Sequence, residues 1–105
     1  MQRIQILVIG TNKPIMETIA RLIDRDGLWQ ATIAFSFEDA LAMCSQQDFK
    51  VVLIGGGIAE EEELVLKQYL LKNKRNLPLV KHYGGGSGLL FAEIHQALSN
   101  TNKHQ

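Results

Sequence analysis

An internal disulfide is the first thing this sequence cannot have. Cys44 is its only cysteine, and a lone thiol fits a reducing compartment. Net charge is missing too. Lys plus Arg and Asp plus Glu stand at 11 each, so no overall field draws the chain to nucleic acid or to an anionic membrane. No apolar run approaches the roughly 20 residues that a membrane span requires. The opening "MQRIQILVIG" lacks the h-region length and the small-residue cleavage site of a signal peptide. These absences give the expectation of a cytoplasmic protein whose partners include neither nucleic acid nor membrane. At 105 residues the chain suits one domain and is too short for two. Its 46% hydrophobic and 21% charged residues are enough for an ordinary globular core.

Strand and helix signals alternate four times. "RIQILVI" (Arg3 to Ile9) is β-branched and almost continuously apolar, as in a central strand covered on both faces. Thr11 or Asn12 can cap the helix that follows, with Pro14 in its first turn, where a missing N–H costs nothing. Ile15, Ile19, Leu22 and Ile23 then fall on one helical stripe, and Gly27 ends the helix. "QATIAF" (Gln30 to Phe35) predicts the second strand. Ser36 and Asp39 form a capping box that opens a helix burying Ala40, Leu41 and Cys44. Lys50 to Ile54 predicts the third strand and Glu60 to Lys72 the third helix, with glutamates at the positive end of the helix dipole. "LVKHY" (Leu79 to Tyr83), opened by Pro78, predicts the fourth strand. A last helix carries Leu90, Ile94, Ala97 and Leu98 as its stripe, and "SNTNKHQ" is polar. The expected organisation is a single α/β domain over residues 1–99 with a polar tail over 100–105.

Four βα units with short connections imply a parallel sheet with helices on both faces, a three-layer α/β/α arrangement. A Rossmann-type nucleotide fold needs Gly-x-Gly-x-x-Gly after the first strand. The turn here, Gly10-Thr11-Asn12-Lys13-Pro14, does not supply it. Flavodoxin-like strand order, 2-1-3-4, fits better.

The stretch "KVVLIGGGIAEEEE" (Lys50 to Glu63) is the most pointed feature of the chain. A buried strand that runs into a helix start is where many α/β proteins hold a reactive group. The tip here is Gly55, Gly56 and Gly57, with no side chain to react.

"ILVIGTNKPIMETIARLI" resembles the opening of a response-regulator receiver domain, and "SFEDALAMCSQQDFKVVLIGG" resembles that family's second helix and third strand. The likeness runs from about Ile4 to Val80, and "GLLFAEIHQAL" resembles the family's final helix. The resemblance implies a signalling domain that takes a phosphoryl group on an aspartate at the third strand's tip, with Mg²⁺ held by paired acids after the first. It places Gly55 at the aspartate and Gly10 and Thr11 at the acids, so those three mark a degenerate phosphorylation site. The family's hydroxyl after the fourth strand and its lysine after a fifth have no match. About one αβ unit is missing before the final helix. What the resemblance leaves is a shortened, four-stranded pseudo-receiver without the family's chemistry, and so no catalytic, metal-binding or cofactor-binding residues are expected.

Other features have plain readings. The Glu60 to Glu63 run suits a solvated helix start better than a metal site, since consecutive helical residues point in different directions. His82 and His95 lack companions at metal-site spacing, and Cys44 suits a core position. Trp29 reads as a core or edge aromatic. "HYGGGSG" deserves more weight, because glycine-rich backbone before a helix can cradle an anion. Gly84, Gly85, Gly86, Ser87 and Gly88, aided by Lys13, Lys81 or His82, make an anion- or nucleotide-binding domain the second reading. The first is a non-catalytic interaction module whose partner is another signalling protein or itself. A homodimer would use the uncovered fourth strand or the final helix beside it, through Leu79, Val80, Tyr83, Leu89 and Phe91.

Overall fold

Ile6, Leu7, Val8 and Ile9 are all buried, and their alternation decides the architecture of the computed structural model, which describes residues 3–25, 27–72, 77–82 and 86–102. In a strand successive side chains point to opposite faces. Ile6 and Val8 therefore enter one core with Val51 and Leu53, while Leu7 and Ile9 enter a second with Val52 and Ile54. A strand apolar on both faces needs helices on both faces.

The chain supplies them in the order β1 (Ile4–Ile9), α1 (Lys13–Asp24), β2 (Trp29–Ala34), α2 (Phe37–Gln46), β3 (Val51–Ile54), α3 (Glu60–Lys72), β4 (Leu79–Lys81) and α4 (Gly86–Asn102). All strand pairs are parallel and the sheet order is β2-β1-β3-β4, as expected from the connection lengths. On one face α1 contributes Met16, Ile19 and Ile23, and α4 contributes Leu90, Ile94 and Ala97. On the other, α2 contributes Ala40 and Cys44, and α3 contributes Leu66 and Leu70. Asn12 is the cap of α1, its Oδ1 accepting the Ile15 N–H at 3.1 Å. Ser36 caps α2 by accepting the Asp39 N–H at 3.1 Å.

Among the differences from the sequence expectation, four have a physical reason. β2 begins at Trp29, one residue earlier, because Trp29 itself is buried in the α1/α4 core. β4 stops at Lys81. It follows β3 in register from Val52–Leu79 to Ile54–Lys81 and ends where β3 ends. The stripe of α1 keeps Ile19, Leu22 and Ile23 on the core as expected, but its first member is Met16, which is buried, whereas Ile15 is 53% exposed. α4 continues to Asn102, past the expected boundary at residue 99, because extending a formed helix gains one hydrogen bond per residue without an apolar face.

Candidate functional site

The carboxyl ends of β1, β3 and β4 are laced together by backbone. The Gly55 N–H donates to Ile9 O at 2.7 Å, the Thr11 N–H to Gly56 O at 3.3 Å, and the His82 N–H to Ile54 O at 3.0 Å. Gly10 N–H donates to Ala34 O at 3.1 Å, tying in the end of β2. This is the region where open parallel sheets bind ligands.

The space between the tips belongs to Met16. It stands in the first turns of α1, directed inward by the Asn12 cap and by its own N–H bond to Asn12 O at 2.9 Å. Its thioether crosses both glycines. A Cβ added to Gly10 would run into Met16 Sδ, and one added to Gly55 would lie 2.7 Å from Met16 Cε and 3.2 Å from Ile9 O. Met16 is 1% exposed, so its thioether is part of the core. Gly57 has a different reason to be glycine. Its φ is +88°, and a Cβ there would collide with the Thr11 side chain, which folds over it.

These positions cannot hold the Mg²⁺ of the resembled chemistry. Mg²⁺ wants an octahedral set of hard oxygen ligands. Gly10 and Gly55 offer no side-chain oxygen, Thr11 offers one hydroxyl, and the thioether beside them is soft. Among the described residues no group of three His, Cys, Asp or Glu converges as a metal site.

Lys81, Glu62, His82 and His95 are engaged elsewhere. Lys81 Nζ lies 3.1 Å from Glu63 Oε1, joining the end of β4 to the first turn of α3. Glu62 Oε1 accepts the Ala59 N–H at 3.1 Å, so part of the glutamate run caps its own helix. His82 is buried, with Nδ1 2.6 Å from Glu93 Oε1 of α4. His95 sits edge-on to Trp29 at 4.8 Å between ring centroids.

Several sequence-based site residues find different places. Gly86, Ser87 and Gly88 belong to the first turn of α4 and do not form a loop ahead of it; Tyr83, Gly84 and Gly85 lie outside the described residues. Phe91 is half-buried, packed on the core with its ring 5.9 Å from Trp29, so it does not extend an exposed patch. Leu79 and Val80 are half-buried on opposite cores, while Leu89 is 49% exposed as expected. Met16 is the residue that sequence reasoning missed. Its spacing to Ile19 and Ile23 is as helical as that of Ile15 to Ile19 and Leu22, and only the three-dimensional phase of α1 separates the two.

By sequence, no family model and no curated protein matches the chain. Solved structures match by shape. The receiver domain of the Francisella response regulator 1452 has a TM-score of 0.78 at 17% identity, over 94% of this chain and 99% of that one. A CheY-like receiver domain protein from Methanospirillum hungatei JF-1 has a TM-score of 0.69 at 13% identity, over 99% and 100%. An adenylate cyclase from Rhodopirellula baltica has a TM-score of 0.65 at 15% identity, over 93% and 89%. Identities this low speak for fold, and the fold is plain. The protein shares the architecture of response-regulator receiver domains in a four-stranded form, with a methionine packed across the strand tips.

Proposed function

We propose that this protein is a non-catalytic receiver-like module, which works through protein–protein contact in signalling or regulation and takes no phosphoryl group on aspartate. The observation that carries this reading is the Met16 thioether lying across Gly10 and Gly55. Phosphoryl transfer to a carboxylate needs the carboxylate, and its transition state needs a cation to spread the charge. Gly10, Thr11 and Gly55 carry no carboxylate to accept the group or to hold the cation, and the Met16 thioether lies against the positions where Cβ atoms of Gly10 and Gly55 would stand.

What such a fold retains is surface. Ile15, displaced from the core, lines a cavity of about 320 Å³ with Pro14, Thr18, Leu22, His82 and Leu90, between α1 and the start of α4. A half-exposed branched residue beside a mainly apolar hollow suits a docked side chain better than a polar substrate. No helix among the described residues is long and apolar enough to cross a membrane.

Incubation with acetyl phosphate and Mg²⁺, followed by intact-mass measurement, tests the reading. A receiver that carries its aspartate serves as the positive control. The expected result is an unchanged mass for this chain and a phosphoryl gain for the control. A stoichiometric gain of one phosphoryl group, mapped to the strand tips, would overturn the proposal.

A further inference from the structure

We propose that the flank formed by α3 and β4 is a homodimer contact, in which α3 of one copy packs antiparallel on α3 of a second. The inference rests on reading the chain as an interaction module, and it names the partner as a second copy of this chain.

Among the described residues the flank is open on the side away from β3. β4 pairs with β3 along one edge, and among the described residues no strand pairs with the other. α3 buries Leu66 and Leu70 but leaves Leu64 55% and Leu71 61% exposed. Those two leucines are about two helical turns apart and fall on one side of α3. Between helix and strand lie two adjoining hollows. One of about 420 Å³ is lined by Leu64 and Lys81 among others, and one of about 250 Å³ by Leu71, Leu77 and Pro78; both include Glu63 and Lys67. Leu64 stands among charged residues in the first hollow, and Leu71, Leu77 and Pro78 make the second mainly apolar.

The charge selects the occupant. α3 opens with Glu60, Glu61, Glu62 and Glu63 and carries Lys67 and Lys72 in its later turns. A parallel neighbour of the same sequence would set acid against acid. An antiparallel one sets acid against base twice. Glu61 and Lys72 are close to three turns apart and share one flank of the helix. A two-fold axis crossing α3 near Leu66 and Lys67 places each copy's Glu61 beside the other's Lys72. Each Leu64 then lies within about one helical turn of the other's Leu71 along the axis. This is an isologous contact, the surface being complementary to itself. α2 has no such property, with Glu38 and Asp39 in its first turn and no basic residue in its last.

The experiment is sedimentation equilibrium on the full chain across a hundredfold concentration range. A concentration-dependent dimer is expected. Leu64→Glu and Leu71→Glu should each weaken it by at least about tenfold, whereas Leu28→Glu, equally exposed but remote between α1 and β2, should leave it unchanged. Far-UV circular dichroism verifies that each variant is folded. The charge test is sharper. Glu61→Lys and Lys72→Glu should each weaken self-association, and mixing the two should recover a dimer of mixed composition, visible by native mass spectrometry. A monomer at every concentration overturns the proposal, and so does a dimer indifferent to the leucine substitutions. Loss of self-association in both charge variants without recovery on mixing overturns the antiparallel arrangement. A monomer would leave the phosphodonor result untouched, so failure here is distinct from failure of the functional reading.

Discussion

At the carboxyl ends of β1 and β3 a methionine fills the space that two glycines leave. Along β4, on the flank away from β3, no described strand fills anything, and Leu64 and Leu71 stand exposed at the two hollows. Both regions depart from the five-stranded receiver pattern that the sequence resembles. One is closed and the other open, and the difference follows from where water can reach. Gly10 and Met16 lie buried beside the base of α1, where interiors are packed to crystal-like density and a void forfeits contacts on every side. With no carboxylates there, the volume has to be occupied, and an unbranched, flexible thioether suits an irregular gap. The flank of β4 is in contact with solvent, which satisfies an exposed edge at little cost. Charge and short strand length are enough to keep it from indiscriminate pairing. β4 has both, being three residues long and ending in Lys81.

The comparison breaks most visibly if acid can be put back. Gly10 is buried against Met16, so Gly10→Asp adds a steric clash and an unpaired carboxylate in one step. A loss of about 4 kcal/mol is expected, read as a fall in melting temperature on the order of 20 °C. A variant that melts with the unmodified protein would show that the tips have spare room, and the contrast with the β4 flank would collapse.

Removing the filler is the next largest effect. Met16→Ala should cost about 3 kcal/mol in urea unfolding, as a large-to-small change in a packed core does. The double variant with Gly10→Asp sharpens the test, because each substitution changes the room available to the other. The combined loss should fall short of the sum by about 1 kcal/mol or more. Strict additivity would mean that Met16 and Gly10 do not compete for one volume.

Much of this molecule was legible before any coordinates, for physical reasons that can be traced to residues. The continuous apolar run of β1 announced a strand covered on both sides, and the βα alternation left little choice of topology. Gly10, Thr11 and Gly55 announced strand tips without carboxylates, since a side chain that is absent is absent in every conformation. What filled the gap was not legible. Ile15 and Met16 satisfy helical periodicity equally, and the phase of α1 is decided by contacts with strands far away in sequence. Phe91 was misread for the same reason. Its partner is Trp29, and a stripe drawn on α4 alone cannot contain it. The glycines of "GGGSG" suggested a loop because glycine weakens helices. Yet Gly86 and Gly88 are helical, and the buried Leu90 and Ile94 of α4 show tertiary packing outweighing that propensity.

Where the two regions meet, Lys81 closes β4 and reaches Glu63 on α3. Both side chains keep partial contact with solvent, at 38% and 25% exposure, so the pair contributes as surface pairs do. Lys81→Met should cost about 0.5 kcal/mol at low salt, and the difference should shrink as salt screens the pair. A loss several times larger, insensitive to salt, would place Lys81 within the packed tip region and move the boundary between closed and open toward the edge.

The smallest expected effect is also the cleanest contrast with the first. Leu71→Glu introduces one carboxylate, as Gly10→Asp does, but at a residue 61% exposed. The new charge keeps its hydration, displaces no neighbour and lies among lysines of the same helix. The stability of the isolated monomer should therefore change by no more than about 0.5 kcal/mol. The measurement has to be made at high dilution, because a dimer that binds only the folded chain raises apparent stability by mass action. At high concentration the same substitution should then lower the melting temperature relative to the unmodified protein, and that difference should vanish on dilution. A monomer destabilised by several kcal/mol at every concentration would mean that Leu71 belongs to the core of α3, and the β4 flank would have to be reclassified as packed interior.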